Sequence, residues 1–187
     1  IVKNLTLASE YVKRKDAINS LNPAGATRSD YGMQLAQTII KGAESDGNKK
    51  VVIMFTDGVP TSENTFEDSV ADSAISASKS IKDANATATV YTIGVFGGAD
   101  GTPVNNLDGI SNTNKYMHLV SSNYKNATSM NNTDNSTYPD GGKSYFLSAS
   151  NADELSTIFQ SISQEVGGAT TTLDETATIK DIVSPYF

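Results

Sequence analysis

Apolar residues are distributed along this chain in two patterns: short continuous runs, and longer stretches in which they return every three or four positions. The clearest run is Val51-Val52-Ile53-Met54-Phe55, preceded by Lys49-Lys50 and closed by Thr56-Asp57-Gly58-Val59-Pro60. A run of this length bounded by turn signals predicts a strand buried on both faces, as in the middle of a parallel sheet. Ala88 to Phe96 is a second run, rich in β-branched residues, and Tyr145-Phe146-Leu147 lies within a third, Lys143 to Ser148.

Helical spacing fills the intervals. Met33, Ala36, Ile40 and Ala43, widened by Leu35 and Ile39, predict an amphipathic helix from Tyr31 to about Ala43 with this stripe in the core. Val70, Ala74, Ala77 and Ile81 predict another from about Phe66 to Ala84, with Asp68, Asp72, Lys79 and Lys82 as its solvated face. Leu155, Ile158, Phe159, Ile162 and Val166 predict a third, started by Asn151 or Asp153 and ended by Gly167-Gly168. Upstream, Val2 to Leu7 reads as an extended piece. A helix carrying Tyr11, Val12, Ile18 and Leu21 follows it, stopped by Asn22-Pro23. Strand, helix and strand in succession predict parallel crossovers and an α/β fold. Between Ser111 and Lys143 the pattern lapses into Asn, Ser, Thr and Asp, with Tyr116, Met117, Leu119, Tyr124 and Met130 as anchors, which predicts a long loop.

In open parallel sheets, ligands sit beyond the carboxyl ends of the strands, where the first run delivers the Asp57 carboxylate. Asp-Gly is also a common turn pair, so a purely local role for Asp57 stands beside that reading. Upstream, Gly25-Ala26-Thr27-Arg28-Ser29-Asp30 is a polar loop that opens a helix. Thr27 offers a neutral oxygen there, and Ser29 or Asp30 a cap. Hydroxyl plus carboxylate suits a hard cation such as Mg²⁺. There is no cysteine, and the single histidine, His118, lies in an apolar run where a structural role is expected.

Gly25-Ala26-Thr27 before one helix and Thr56-Asp57-Gly58 at the next strand end resemble two of the three loops of a von Willebrand factor type A domain. The resemblance covers residues 1–168 and implies a Rossmann-like α/β fold, a mostly parallel central sheet with helices on both faces. It also implies a metal-ion-dependent adhesion site for Mg²⁺, Mn²⁺ or Ca²⁺, with Thr27 a direct ligand and Asp57 direct or through water. Ser29, Asp30, Gly58 and Glu63 would then lie on the ligand-binding rim. The family's third loop, Asp-x-Ser-x-Ser after the first strand, has no counterpart. Asp174-Glu175-Thr176-Ala177-Thr178 has a similar spacing but lacks a buried strand before it. The resemblance therefore implies a chain truncated at its N-terminus and lacking the first strands, a weakened metal site, and a strand before Asp57 left at the sheet edge. A chain of this kind is expected to be marginally stable or oligomeric on its own.

Lys115 to Tyr124 is similar to a segment of type A domains in Gram-positive surface proteins, and on the resemblance it could rim the metal site. The function implied is that of an extracellular surface or pilus-tip adhesin module, binding a carboxylate presented by a host or matrix protein. Residues 169–187 would open a following β-rich segment, with further domains of the same chain beyond. The alternatives are a type A module of an intracellular ATP-driven or metal-chelating complex, and a structural module with a vestigial metal site.

Composition narrows the remaining classes. The 187 residues fit one domain, and the net charge of −7 without a basic stripe argues against nucleic-acid binding. No run of about 18 apolar residues is present to span a membrane. Gly97-Gly98-Ala99-Asp100-Gly101 continues into more loop rather than opening a helix, which argues against a nucleotide fingerprint. No nucleophile and base are paired in the sequence, so an enzyme is not expected.

Overall fold

In the computed structural model of the chain, the described residues are 11–20, 25–43, 48–63, 65–84, 88–131 and 143–167. The extended piece at Val2 to Leu7, the helix stop at Asn22-Pro23 and the segment 169–187 lie outside them. Among the described residues, five helices and three strands follow in the order α1 (Tyr11–Asn19), α2 (Ser29–Gly42), β1 (Lys50–Thr56), α3 (Asp68–Ala84), β2 (Ala88–Gly94), α4 (Asn112–Val120), β3 (Phe146–Ser148) and α5 (Ala152–Gly167).

The strands form one parallel sheet in the order β1-β2-β3, with Thr56 level with Gly94 and Ile93 level with Leu147. Alternation along each strand sends side chains to opposite faces. Val52, Met54 and Val90 join Met33, Ile75, Ile81, Met117 and Leu119 in the larger core, beneath α2, α3 and α4. Tyr91, Ile93, Val51 and Leu147 face the other way, against Leu155, Ile158 and Ile162 of α5. Helices on both faces of a parallel sheet make this the expected Rossmann-like α/β arrangement.

The two-sided burial expected for the first run is not what the fold provides. Among the described residues β1 is the terminal strand, and on the α5 side Val51 joins the second core whereas Ile53 and Phe55 do not. Ile53 and Phe55 are consequently 37% and 51% exposed.

Other expectations are also revised. The predicted polar loop contains α4, whose Tyr116, Met117, Leu119 and Val120 are buried. Its start is polar because Ser111 caps it, accepting the Asn114 N–H at 3.2 Å. Neither Ser29 nor Asp30 caps α2; the cap position is Arg28, whose side chain makes no capping bond. Ile39 is 42% exposed, so the core stripe of α2 is narrower than its apolar residues suggest.

Lys82 does not belong to a solvated face. It is buried, and its ammonium donates to the carbonyls of Leu119, Val120, Ser121 and Tyr124 at 3.0 to 3.5 Å. Leu119 and Val120 are among the last carbonyls of α4, which have no partner within the helix, while Ser121 and Tyr124 belong to the turn that follows it. At α5, by contrast, Asn151 caps as expected, accepting the Glu154 N–H at 2.9 Å while the Glu154 carboxylate accepts the Ser150 N–H at 2.7 Å.

The glycine-rich stretch after β2 has a packing role. A Cβ on Gly101 would lie 2.1 Å from the Phe146 carbonyl oxygen, so only glycine lets this loop run against β3.

Candidate functional site

Two loops meet at the carboxyl end of β1. The Thr61 N–H donates to the Thr27 carbonyl at 3.1 Å, tying the segment before α2 to the segment after β1. Thr27 Oγ1 lies within 3.6 Å of the point where a Gly58 Cβ would sit. The Thr27 hydroxyl and the residue next to Asp57 are therefore neighbours, although 30 positions separate Thr27 from Asp57. Asp57 itself is exposed at this rim.

The loop after β1 is held by its own hydrogen bonds. Thr56 Oγ1 accepts the Gly58 N–H at 3.2 Å. Glu67 accepts from the hydroxyls of Thr61 and Ser62 and from the backbone of Ser62 and Glu63. Those donors, the Ser62 hydroxyl foremost, hold the Glu67 carboxyl below its ordinary range. Glu63 is exposed beside this clasp, and its N–H is given to Thr61 Oγ1 at 2.9 Å.

Ser29 and Asp30 are engaged inward. The Ser29 hydroxyl is 2.7 Å from the Tyr116 hydroxyl, which also reaches Met54 Sδ at 3.5 Å. Asp30, 3% exposed, takes a two-pronged hydrogen bond from Arg28 at 3.0 and 2.7 Å, which lowers its pKa against the opposing pull of burial. The Arg28 guanidinium also stacks 3.9 Å over the Tyr31 ring. Thr27 thus lies beside Gly58, and Asp57 is the exposed residue immediately before it.

Sequence reasoning passed over three residues that organise this rim. Arg28 neutralises Asp30, Glu67 ties the loop after β1, and Tyr116 of α4 anchors Ser29. The Arg-x-Asp spacing was a visible signal for the first, whereas the other two depend on contacts that sequence spacing does not reveal. His118 lies away from the rim, buried with Asn123 and packed at 5.0 Å against Phe146. Among the described residues no three His, Asp or Glu side chains are grouped so as to hold a metal ion, and no helix is long and apolar enough to cross a membrane.

The sequence model of the von Willebrand factor type A domain matches residues 2–136. No curated protein and no solved structure gives a significant match. Since the matched span is well over half of the chain, and includes both rim loops and the β1-α3-β2-α4 succession, the protein belongs to the von Willebrand factor type A domain family, whose members mediate protein interactions.

Proposed function

We propose that this domain is a metal-assisted adhesion module, working outside a bacterial cell and binding a host or matrix protein through a carboxylate. The observation that carries the reading is the apposition of the Thr27 loop and the Asp57-Gly58 turn, locked by the Thr61 to Thr27 backbone bond. Hydroxyl and carboxylate oxygens suit Mg²⁺ in kind, and Mn²⁺ or Ca²⁺ could use the same atoms. Two protein donors leave most of the coordination sphere to water or partner, so affinity is low. When bound, the ion supplies an electrophilic position for a partner's carboxylate oxygen.

The chain's own contribution is positional. Tyr116 and the Arg28–Asp30 pair fix the start of α2, and Glu67 fixes the loop after β1, so Thr27 and Asp57 are presented by two braced segments. The exposed Glu63 and the Gly58 backbone lie beside them on the face a partner would meet. We infer binding rather than turnover, in keeping with the protein-interaction role of the family.

Mn²⁺ titration followed by electron paramagnetic resonance tests the site directly. Weak, saturable binding is expected for the unaltered chain and should be lost in Asp57→Ala and Thr27→Val, while both variants keep the thermal melt of the parent. Absence of binding in the parent, or binding that survives both substitutions, would overturn the metal reading.

A further inference from the structure

We propose that Lys82 is a remote positioning residue of the rim: it seats the C-terminal end of α4, and α4 carries Tyr116 into contact with both rim loops. The seat is polar and buried. Lys82, 4% exposed, and Ser78, fully buried, lie one turn apart on α3 and reach the same helix end. The ammonium donates to the carbonyls of Leu119, Val120, Ser121 and Tyr124, and the Ser78 hydroxyl donates to the Val120 carbonyl. Two further polar ties hold α4 nearer its start. Thr92 Oγ1 of β2 donates to the Met117 carbonyl at 3.0 Å, and the Asn114 amide bonds the Gly98 carbonyl and the Asp100 N–H at 2.9 and 3.2 Å.

Tyr116 lies one turn before Val120 and is 1% exposed. Its hydroxyl is 2.7 Å from Ser29 Oγ, and its ring meets the Phe66 ring edge-on, with centroids 6.3 Å apart. Ser29 opens α2 just after Thr27 and Arg28, while Phe66 immediately precedes Glu67, whose carboxylate clasps the loop after β1. One side chain therefore touches both segments, and its place is set by where α4 sits.

The contacts from Lys82 through α4 and Tyr116 to Ser29 form one continuous physical path. Withdrawing the ammonium leaves buried carbonyls at the end of α4 that must turn toward water. The helix end then lifts from α3 and takes Tyr116 with it. Lys82 bonds to neither loop, so its effect on them is one of position. That these loops form a binding rim rests on the function proposed above; the coupling between them and Lys82 is measured without it.

The test follows amide hydrogen exchange by nuclear magnetic resonance on the full chain in EDTA. The amides to watch are Tyr31 to Met33, in the first turn of α2, and Glu67, whose N–H is given to the Pro60 carbonyl. Lys82→Met should speed exchange there at least about tenfold, the size of one lost charge-assisted bond. Ser78→Ala removes only a hydroxyl, should fold in any case, and should act in the same direction more weakly. The unaltered chain in urea, at the same global stability, should keep these amides protected. In a Tyr116→Phe background the added effect at Tyr31 to Met33 should vanish, because the hydroxyl that reaches Ser29 is gone. Exchange at the parent's rate in Lys82→Met and Ser78→Ala would overturn the proposal. So would an effect that urea alone reproduces, or one that persists in full without the Tyr116 hydroxyl. Mn²⁺ titration of the same chains separates the two readings: coupled exchange in a chain that binds no Mn²⁺ supports this proposal while removing the metal site.

Discussion

The chain has one histidine, which makes its acid response unusually easy to assign. Asn123 Oδ1 accepts the Tyr145 N–H at 2.7 Å, and this fixes the amide so that its Nδ2 donates to His118 Nδ1 at 3.0 Å. The imidazole proton is then on Nε2, where the Asp100 backbone provides a favourable hydrogen bond. Protonating Nδ1 would set donor against donor inside a buried cluster. Burial lowers the His118 pKa from 6.5 to about 4, against the opposing influence of Asp100. The folded state therefore binds fewer protons than the unfolded state between these values, and stability falls as pH falls through that window. At 1.36 kcal/mol per pKa unit, the loss is about 2 kcal/mol by about pH 5 and about 3 kcal/mol by about pH 4. Denaturant unfolding at a series of pH values from neutral to mildly acidic measures it. His118→Phe keeps a ring against Phe146 and should flatten the slope above the carboxylate range, although its stability at neutral pH drops because the Asn123 amide loses a partner. Equal stability at neutral pH and near pH 5, or an imidazole resonance titrating close to 6.5, would refute the reasoning.

Lys82→Met leaves the Ser121 and Tyr124 carbonyls without their buried donor; a loss of about 3 kcal/mol is expected from the charge-assisted bonds, read as a lower denaturation midpoint. A change under about 1 kcal/mol would show that water replaces the ammonium. Gly101→Ala drives a methyl against the Phe146 carbonyl and should cost at least about 2 kcal/mol, with hydrogen exchange accelerated at Tyr145 to Leu147. Tyr116→Phe removes the hydroxyl from Ser29 and should lower stability by about 1 kcal/mol, measured by thermal melting, and weaken Mn²⁺ binding if α2 is loosened at its start.

The strand before Asp57 was legible because five consecutive apolar residues between two lysines and a Thr-Asp-Gly turn leave few other conformations. Its two-sided burial was not, since a run of amino acids says nothing about how many neighbours its strand acquires. The meeting of Thr27 with Gly58 followed from the family motif and not from spacing. α4 was hidden because its first four residues are polar for reasons of capping and exposure, and only Tyr116 to Val120 carry the apolar signal. Lys82 follows Ile81 by one position, which places it on the flank of the α3 stripe. Helical periodicity assigned it to solvent, and only the end of α4 arriving at that flank makes the interior its proper place. Asp30 illustrates the same limit, since its burial depends on Arg28 folding back over it.

Among the described residues, the three strands lie side by side in the order in which they occur in the chain. A ribosome making this polypeptide therefore releases each strand only after the neighbour it pairs with, and each crossover closes a loop between strands adjacent in sequence order. β2 can dock as soon as α3 has emerged, and β3 needs no earlier segment to be displaced to make room for it. Assembly can thus follow the direction of synthesis, which keeps the entropic cost of each closure modest. The hydrogen bond between Thr61 and Thr27 fits the same schedule, since both of its loops are complete before β2 leaves the exit tunnel. The rim that would meet a partner is therefore assembled early, before the second core beneath α5 is closed.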